Sequence, residues 1–475
     1  MLDSANPDGV HVKQRRMEGC RMLDELAQHL PAGVLITNPD TMEAYRRDRA
    51  NDPNAGMPQV VVRATEVEHV QTAMKFAAKY NIPVVPRGAG SGLSGGSTAV
   101  DGCIVICVDK MNNIEIDPVT RTAVVQPGAI NNEVKLAAAE HGLWYPPDPA
   151  SFQFCSIGGN IATNAGGLCC VKYGVTTDYV LGLDVVLPDG RLVKLGGPRL
   201  KDVAGLSLTK LFVGSEGTLG IIVSITLRLI PAQRQPTTLV ATFPTLEGTM
   251  NAVLEITRNM RPSMLEFMDD VCINAVEDQM KMGLDRSVKA MLVVQSDEPA
   301  QHATEEIQMV EGICNRHGAS ECYYTADPDE GEMFAAARRA AIPAVEMTGT
   351  ILLEDVGVPI PRLGDLVVGI EEISKNRDVT VAVMAHAGDG NTHPLVVFDP
   401  TDKDQEERAH IAYGEIMDLA MRLGGTITGE HGVGKLKQPW LTDYLGDDVL
   451  DLNHRIKKAI DPQGIMNPGS CFVMG

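Results

Sequence analysis

The stretch that decides the fold occupies residues 84–97 and reads Val84-Val85-Pro86-Arg87-Gly88-Ala89-Gly90-Ser91-Gly92-Leu93-Ser94-Gly95-Gly96-Ser97. It begins as a strand and then places five glycines in the nine positions from Gly88 to Gly96. Because glycine has no Cβ atom, its backbone adopts positive φ and lets successive N–H groups converge on an anion. The pattern predicts a loop that binds a diphosphate. A flexible loop without a ligand is the alternative, since such spacing alone is a weak signal.

A second cluster of small and polar residues occupies residues 146–151 and 155–167. Its glycines, hydroxyls and amides can approach a flat ligand closely and hydrogen-bond to its edge. Either cluster alone could consist only of turns, but two of them in one α/β region favour a large cofactor. An apolar strand at 102–108 follows the first loop where a Rossmann fold would have a helix, so a different dinucleotide fold is predicted.

The composition is that of a globular protein with a large acidic excess. The 475 residues include 41 Lys and Arg against 62 Asp and Glu, for a net charge of -21. This excess disfavours nucleic-acid binding, which depends on clustered basic residues. The ten cysteines show no CxxC spacing, the pattern of a zinc ribbon or redox pair. The first 30 residues lack the apolar stretch of a secretory signal, and no apolar run is long enough to cross a bilayer. We expect a cytoplasmic protein with reduced thiols, and docking to the inner face of a membrane stays open.

Strand-like and helix-like segments alternate in two blocks. In residues 60–230, β-branched runs are separated by helical patterns such as Val67–Tyr80, and Pro231–Pro236 is the predicted linker. A second series of strands and amphipathic helices follows, which predicts a sheet covered by helices on one face. The chain is therefore interpreted as an α+β protein with at least two structural units.

Two histidines flank a predicted hairpin in the second block. Residues 379–386 read as one strand, 387–392 as a turn and 393–398 as the returning strand, so His386 and His393 would face each other across its mouth. Two imidazoles must face each other in this way to share a metal, although a single histidine is more often structural. Asp389 and Asn391 are interpreted as turn formers, because both lie among glycines.

A carboxylate and a third imidazole strengthen the metal hypothesis. The segment Thr428–Gly432 places Glu430 and His431 side by side. On a regular strand their side chains would point to opposite faces, so both serve one site only if Gly429 and Gly432 let the backbone bend. Two imidazoles and one carboxylate with open coordination positions suit zinc, manganese or iron.

The two loops, together with the segments 211–222 and 461–469, resemble the vanillyl-alcohol-oxidase superfamily of FAD flavoproteins. Within it the chain is similar, over nearly its whole length, to the glycolate oxidase flavoprotein subunit and D-lactate dehydrogenase group. The resemblance implies a two-subdomain PCMH-type FAD-binding domain and an α/β cap domain with an antiparallel sheet covered by helices. The expected divisions are 1–58 as an N-terminal helical lead-in, 59–235 as the FAD-binding domain, 236–428 as the substrate or cap domain, and 429–475 as a segment that returns to the flavin.

The resemblance also assigns the cofactor contacts. In the family the first loop holds the FAD pyrophosphate and the second follows the riboflavin. The expected FAD contacts are Arg87, Gly88, Ala89, Gly90, Ser91, Gly92, Gly95, Pro147, Ser151, Ile157, Gly158, Asn160, Asn164, Gly167, Ile222 and Asn467. Members with covalent flavin carry a histidine in the first loop. Residues 86–97 contain none, so non-covalent FAD is implied.

The same comparison of motifs gives roles to residues of the second block. His386, His393 and Glu430 match the metal ligands of the family, and His431 matches its general base. Arg338 matches the arginine that binds the substrate carboxylate, a task suited to a guanidinium because it donates two parallel hydrogen bonds.

The resemblance also bears on the length of the substrate. Relatives that oxidise D-2-hydroxyglutarate carry a lysine and an asparagine for its distal carboxylate, whereas this chain has Leu353 and Leu395 at the corresponding positions. A short monocarboxylate is therefore implied. Arg339, beside Arg338, is interpreted as a solvated helix arginine.

The resulting hypothesis is the metal-assisted oxidation of a short D-2-hydroxy acid, glycolate or D-lactate, to the 2-oxo acid. A divalent metal would lower the pKa of the substrate hydroxyl, His431 would take its proton, and hydride would pass to N5 of FAD. A non-nicotinamide acceptor would then take the electrons, with iron–sulfur or other acceptor subunits as partners, and a homodimer stays open. The alternatives are a D-2-hydroxyglutarate dehydrogenase-like enzyme and a non-catalytic FAD-binding subunit of a glycolate oxidase complex. Cys169 and Cys170 receive no role.

Overall fold

The computed structural model describes residues 22–472, and within them the strands form four β-sheets. The first 21 residues of the predicted helical lead-in lie outside the described residues. The strands are β1 (Leu35–Ile36), β2 (Val60–Arg63), β3 (Val84–Arg87), β4 (Ile104–Cys107), β5 (Ile114–Asp117), β6 (Thr122–Val125), β7 (Leu143–Trp144), β8 (Val180–Val186), β9 (Leu192–Gly196), β10 (Ile221–Arg228), β11 (Ile230–Pro231), β12 (Thr237–Phe243), β13 (Met264–Asp269), β14 (Ala290–Ser296), β15 (Glu321–Thr325), β16 (Thr350–Leu353), β17 (Val356–Gly357), β18 (Thr380–His386) and β19 (Asn391–Phe398).

The helices are α1 (22–28), α2 (Pro39–Met42), α3 (Val67–Tyr80), α4 (Asn131–Ala139), α5 (Ile157–Thr163), α6 (Cys170–Tyr173), α7 (Leu208–Phe212), α8 (Leu246–Asn259), α9 (Asp270–Met280), α10 (Ala300–Arg316), α11 (Pro328–Arg339), α12 (Ala341–Glu346), α13 (Leu363–Arg377), α14 (Lys403–Arg422), α15 (Gln438–Leu445) and α16 (Asp447–Ile460). Among residues 22–472, no helix combines the length and the apolar character that crossing a bilayer requires.

A small sheet with the order β1-β2-β4-β3 supports the first glycine loop. Strands β2, β4 and β3 are parallel, and α3 is the crossover between β2 and β3. In α3 the buried residues Val70, Ala73, Met74 and Ala77 follow the spacing of one helix face. The loop therefore starts at the carboxyl end of a parallel strand, the usual place for a ligand in such a sheet.

The second glycine cluster contains a short helix that the sequence pattern does not predict. Gly158 and Gly159 are poor helix formers, yet α5 spans both. Ser156 caps its first turn, with its Oγ atom accepting the Gly159 N–H at 3.4 Å, and Asn164 ends it in the left-handed conformation. A five-stranded antiparallel sheet with the order β5-β6-β10-β8-β9 lies beside this helix.

The second block forms an antiparallel sheet with the order β15-β12-β14-β13-β18-β19-β16, in which β17 also pairs with β19. Helices α8, α10, α13 and α14 pack on one face of this sheet, and α9, α11 and α12 pack on the other. The prediction of helices on one face is therefore wrong. The near-continuous burial of strands such as β14 reflects two covered faces, because alternate side chains of one strand enter both cores. The α+β class and the antiparallel sheet covered by helices are confirmed.

The chain returns from the cap sheet to the small parallel sheet. After α16, residues 465–467 run along β3, where the Val84 N–H donates to the Ile465 carbonyl and the Asn467 N–H donates to the Val84 carbonyl, both at 2.7 Å. Residues 232–236 of the predicted linker contain neither helix nor strand, whereas Pro231 belongs to β11. The domain divisions at 58/59, 235/236 and 428/429 remain predictions.

Candidate active site

The glycine loops and the cap sheet meet around one cavity of about 460 Å³, called the central cavity below. This volume is typical of a small-molecule site. One side is lined by residues 87–94 of the first loop together with residues from the segments 149–165 and 215–222. The cap side contributes Arg338, His386, His393, Glu430 and His431. The cavity thus brings together all five predicted catalytic and metal-binding residues.

The predicted cofactor contacts divide into two groups. Those that line the central cavity are Arg87, Gly88, Ala89, Gly90, Ser91, Gly92, Ser151, Gly158, Asn160 and Ile222. Those that lie outside its lining are Gly95, Pro147, Ile157, Asn164, Gly167 and Asn467. Most of the second group occupy the loops and caps that support the lining residues.

Two asparagines illustrate that supporting position. The buried Asn467 side chain donates to the carbonyls of Gly96 and Glu216, both at 2.8 Å, and so connects the first loop to the segment that precedes β10. Asn164 ends α5, and its Oδ1 atom accepts the Thr177 N–H at 2.9 Å. Neither side chain needs to contact a cofactor to matter for the shape of the site.

The first loop forms a cradle that only glycine permits. A Cβ atom on Gly88 would clash with the Ser156 Oγ atom, which also accepts the Ala89 N–H at 3.2 Å. Gly90 has a φ of 73°, in the left-handed region that favours glycine. Loop backbone therefore approaches the N-terminus of α5 without side chains between them. These features fit the pyrophosphate of a dinucleotide such as FAD, because backbone N–H groups and a helix N-terminus both attract anions.

The predicted hairpin exists and brings the two histidines together. His393 lies opposite Met384, and His386 is two residues beyond Met384 on the same strand, so the two imidazoles are diagonal neighbours on one face. Their ring centroids are 5.2 Å apart and their planes are perpendicular. The Oε1 atom of Glu430 lies 3.3 Å from the Nε2 atom of His386 and 3.0 Å from the Nε2 atom of His393.

These distances fit one coordination sphere. Ligand atoms about 2.0–2.2 Å from a tetrahedral cation are about 3.3–3.6 Å from each other. The ligand atoms of His386, His393 and Glu430 all lie within 4.8 Å of one another. Two imidazole nitrogens and a carboxylate oxygen are also a donor set that divalent cations use. The residues present therefore fit a divalent metal ion.

The charges around these ligands are strongly coupled. Burial by itself would lower the pKa of His386, but Glu266 and Glu430 hold the pKa of that imidazole well above its usual value. Burial would raise the pKa of Glu430, but His386 and His393 hold it well below its usual value. The cluster therefore favours an ionised carboxylate, the form that a cation needs.

One buried carboxylate explains how Glu430 and His431 serve the same site. The Oδ2 atom of Asp355 accepts the backbone N–H groups of Gly429, Glu430 and His431 at 2.9, 3.1 and 2.9 Å, and the Thr428 hydroxyl at 2.7 Å. These bonds fold the backbone around Asp355, and the bend turns both side chains toward the cavity. The backbone bend that Glu430 and His431 require in order to serve one site is therefore present.

The glycines on either side of Glu430 and His431 permit the bend. Gly432 has a φ of 85°, and a Cβ atom on Gly429 would clash with the side chain of Asn391. As a result the His431 ring stacks on the His393 ring, with centroids 4.9 Å apart and planes 12° apart. The Nε2 atom of His431 lies 3.8 Å from Oε1 of Glu430.

A second group of ligand atoms, from Asp355, His393 and His431, also lies within 4.8 Å. Its carboxylate is already engaged by the backbone and hydroxyl donors of residues 428–431. Burial would raise the pKa of Asp355, but His431, Lys437 and His393, together with the Thr428 hydrogen bond, hold that pKa well below its usual value. Asp355 therefore organises the bend, and the set with Glu430 is the better metal site. Burial lowers the pKa of His431 to about 4, which keeps its imidazole neutral at neutral pH.

Arg338 is buried in the wall of the central cavity, with only 4% of its surface exposed. Its Nη1 atom donates to the sulfur of Met384 at 3.2 Å, and its Nη2 atom lies 2.9 Å from Oε2 of Glu266. Within the described residues, Nε and Nη2 have no partner with hydrogen-bond geometry. A buried guanidinium with free donors suits a carboxylate ligand. Arg339 also lines the cavity, paired with Glu332, so it is less solvated than its sequence context indicates.

Three carboxylates of the site were not predicted from the sequence. Glu266 in β13 is 1% exposed and contacts both His386 and Arg338. Asp355 organises the bend described above, and Glu216 accepts the N–H groups of Val433 and Gly434 at 2.8 and 2.7 Å. The sequence offers one sign that Glu266 is functional: it is a charged residue inside the otherwise apolar segment 264–268 of β13, and such a residue needs a buried partner.

The turn between the two histidine strands is shorter than the sequence predicts, because β19 begins at Asn391 rather than His393; Asp389 is a turn former as predicted. Asp389 Oδ1 accepts the Asn391 N–H at 3.1 Å, which is the local hydrogen bond of an Asx turn. Both side chains border a smaller cavity on the other side of Glu430. The Cys169 sulfur donates to the Pro146 carbonyl at 3.1 Å, and no function follows from that contact.

Two protein families match the chain. The family described as FAD binding domain matches residues 58–196, and the family described as FAD linked oxidases, C-terminal domain, matches residues 232–471. The glycolate oxidase subunit GlcD of Bacillus subtilis is 38% identical over 444 residues, which cover 93% of each chain. The D-lactate dehydrogenase of Archaeoglobus fulgidus is 35% identical over 439 residues, which cover 90% of this chain and 95% of the relative. The solved structure of p-cresol methylhydroxylase with substrate bound is similar in fold, with 17% identity, a TM-score of 0.80, and coverage of 95% of this chain and 96% of that one.

Proposed function

Because the chain belongs to the family of FAD-linked oxidases and is an FAD-dependent oxidoreductase, we propose that it oxidises a short D-2-hydroxy acid, glycolate or D-lactate, to the 2-oxo acid. The observation that carries the proposal is the meeting of two kinds of group in one cavity. A cation-binding set of His386, His393 and Glu430 and the buried Arg338 line the same space as the glycine cradle, and two nitrogens of Arg338 have no hydrogen-bond partner within the described residues. A 2-hydroxy acid has a hydroxyl that can bind the cation and a carboxylate that can bind Arg338.

Two groups would complete the site. Bound FAD supplies an acceptor for the two electrons that leave the substrate carbon as hydride. A divalent cation held by His386, His393 and Glu430 would supply Lewis acidity that lowers the pKa of the substrate hydroxyl. Zinc, manganese and iron all suit this donor set. We further propose that FAD is bound without a covalent bond and that the sixteen residues named from the sequence form and support its site.

The residues of this chain would do the binding and the proton transfer. Nε and Nη2 of Arg338 would donate to the substrate carboxylate and fix its orientation. The Nε2 atom of His431, next to the metal-binding set, would accept the hydroxyl proton. Removal of that proton and of one hydride converts the alcohol into the carbonyl of the 2-oxo acid. The surrounding apolar core would exclude water from the reacting groups.

Two leucines support a short substrate over D-2-hydroxyglutarate. Leu353 and Leu395 lie opposite each other on β16 and β19 and belong to the apolar core on that face. Neither leucine lines the central cavity, and neither offers the hydrogen-bonding group that the resemblance places at these positions for a second carboxylate. The preserved metal-binding set likewise argues against the alternative of a non-catalytic FAD-binding subunit.

We propose further that the electrons pass to a non-nicotinamide acceptor. The Bacillus subtilis relative is described as a subunit of glycolate oxidase. By analogy this chain would work with iron–sulfur or other acceptor subunits, and a homodimer is a further proposal.

The test is an anaerobic titration of the purified flavoprotein with glycolate, D-lactate, L-lactate and D-2-hydroxyglutarate, followed by flavin absorbance. We expect bleaching by glycolate or D-lactate, little or none by L-lactate and D-2-hydroxyglutarate, and loss of bleaching after chelator treatment with FAD still bound. Fast bleaching by D-2-hydroxyglutarate alone would favour the alternative of a D-2-hydroxyglutarate dehydrogenase-like enzyme. Absence of bleaching by every acid in the metal-loaded protein would favour the non-catalytic subunit.

The His431→Ala variant tests the proposed base. It should bind FAD and metal normally but bleach at least about 10²-fold more slowly, since general bases contribute that much or more. His302→Ala is the matched control, because the His302 side chain is 72% exposed and lies in α10. Equal bleaching rates in the two variants would exclude His431 as the base.

A further inference from the structure

Glu266 connects the metal-binding and carboxylate-binding parts of the site. It lies in β13, whose residues Phe267 and Met268 pair with Ala385 and Met384 of β18. Continuing this register places Glu266 opposite His386. The side chain is 1% exposed, so its carboxyl group lies inside the protein. A buried carboxylate is costly unless it is paired and hydrogen-bonded, so its partners define its purpose.

The first partner of Glu266 is a predicted metal ligand. The two carboxylate oxygens lie 2.9 and 3.0 Å from Nδ1 of His386. An ionised carboxylate can only accept, so Nδ1 carries the proton and donates to Glu266. Nε2, 3.3 Å from Oε1 of Glu430, faces the site and would bind a cation in exchange for its own proton. A carboxylate on the far nitrogen fixes the tautomer and ring orientation of a metal-binding histidine and makes it a better ligand.

The second partner of Glu266 is the predicted carboxylate-binding residue. Oε2 lies 2.9 Å from Nη2 of Arg338, which is 4% exposed. The contact lacks hydrogen-bond geometry, so it holds the guanidinium by charge while leaving Nη2 and Nε free to donate. A single negative charge thus compensates a cation-binding imidazole and an anion-binding guanidinium.

We infer that Glu266 is a positioning residue that serves as the shared counter-charge of His386 and Arg338. Its charge strengthens cation binding at Nε2 of His386. The same charge moderates the attraction of Arg338 for anions, so a carboxylate is bound firmly enough to be oriented and weakly enough to leave as product. This inference rests on the proposed function, because it assumes that a metal and a carboxylate occupy these two places.

The inference predicts effects of opposite sign in the Glu266→Gln variant. The amide keeps the size of the side chain and an acceptor for one partner, but it removes the charge. Divalent cation affinity should fall about 10- to 100-fold, the usual effect of losing such a partner. Binding of a monocarboxylate to the metal-free protein should become at least about threefold tighter, because the anion no longer faces a buried negative charge. A side chain that only filled space would leave both affinities unchanged, because the amide keeps its size.

The experiment uses the FAD-loaded full chain. Zinc and manganese affinities are measured by calorimetry after chelator treatment, and glyoxylate binding to the metal-free flavoprotein is measured by the change in flavin absorbance. Glu266→Asp, which keeps the charge, should recover part of the cation affinity. Glu371→Gln is the matched control, because Glu371 lies on α13 in an i,i+4 pair with Lys375.

The outcomes separate the inference from the proposed function. If the wild-type protein binds no divalent cation, the proposed function fails as well. If it binds one and Glu266→Gln binds it equally well, or binds glyoxylate more weakly than the wild type, only the role of Glu266 is refuted. Should the Glu266 variants fail to fold, nitrogen-labelled histidine spectra of the zinc-loaded wild type decide. His386 must then show a solvent-protected Nδ1 proton and coordination through Nε2, and coordination through Nδ1 would overturn the inference.

Discussion

Replacing Asp355 by asparagine should open the bend of residues 428–431. Asp355 is fully buried, and its Oδ2 atom accepts three backbone N–H groups at 2.9–3.1 Å and the Thr428 hydroxyl at 2.7 Å. Hydrogen bonds to a charged group contribute about 1.5–3 kcal/mol each, against about 1 kcal/mol for neutral ones, so losing the charge costs about 1 kcal/mol per bond. The asparagine amide would also direct its own N–H groups at some of these donors. We expect the bend to lose about 3–5 kcal/mol of local stability.

Amide hydrogen exchange measures this loss at the bend itself. The amides of Gly429, Glu430 and His431 should exchange at least about 10²-fold faster in Asp355→Asn than in the wild type, since every 1.4 kcal/mol is a factor of ten. Asp365→Asn is the matched control, because Asp365 is an exposed residue of α13 that pairs with Arg362. Unchanged exchange of the three amides in Asp355→Asn would refute the role given to this carboxylate, even if activity were lost.

Two further substitutions test the cofactor cradle and the returning tail. Gly88→Ala should weaken FAD binding about tenfold or more, because the added methyl group would overlap the Ser156 Oγ atom and overpacking costs about 1–3 kcal/mol. The affinity is measured by the FAD fluorescence that appears on release. Gly312→Ala, in the middle of α10 with space for a methyl group, should leave FAD binding unchanged. Lys457→Met should lower the free energy of unfolding by about 3–5 kcal/mol in a urea titration, because Lys457 donates to a buried aspartate and two carbonyls. Lys458 is exposed, so Lys458→Met should change the free energy of unfolding little.

Each of these pairs has an outcome that contradicts the reasoning. Equal FAD affinity in the Gly88 and Gly312 variants would mean that the loop can move away from α5 at little cost. Equal unfolding curves for the Lys457 and Lys458 variants would mean that water reaches the buried aspartate in the native protein.

Local sequence patterns predicted much of this site, because its metal-binding strands are neighbours along the chain. His386 and His393 are joined by one turn, so a hairpin was enough to bring them together. Glu266 could not be found in this way, since it reaches His386 only through a pairing between strands 120 residues apart. Asp355 likewise accepts a hydrogen bond from the backbone N–H of Glu430, which is 75 residues away along the chain. Such contacts depend on the order of strands in the sheet, which no local pattern contains.

The cofactor loops show a different limit. Of the cofactor contacts that the resemblance assigns, the glycines of 88–92 line the central cavity, whereas Ile157 and Asn467 are not among its lining residues. A motif match identifies which loop is used but not which side of each residue faces inward. The helix α5 was missed for a related reason, because its low intrinsic propensity is compensated by the Ser156 cap and by packing of Ile157 and Ile161 in the core.

The contact between β3 and residues 465–467 sets an order on the biogenesis of the flavoprotein. The strand that carries the cradle is synthesised well before the segment that hydrogen-bonds to its edge, since Asn467 lies 371 residues beyond Gly96. A nascent chain that has not yet reached residue 465 has the cradle sequence but lacks the backbone hydrogen bonds and the asparagine that support it. A chain truncated before residue 465 should therefore bind the flavin nucleotide more weakly than a chain that contains this segment.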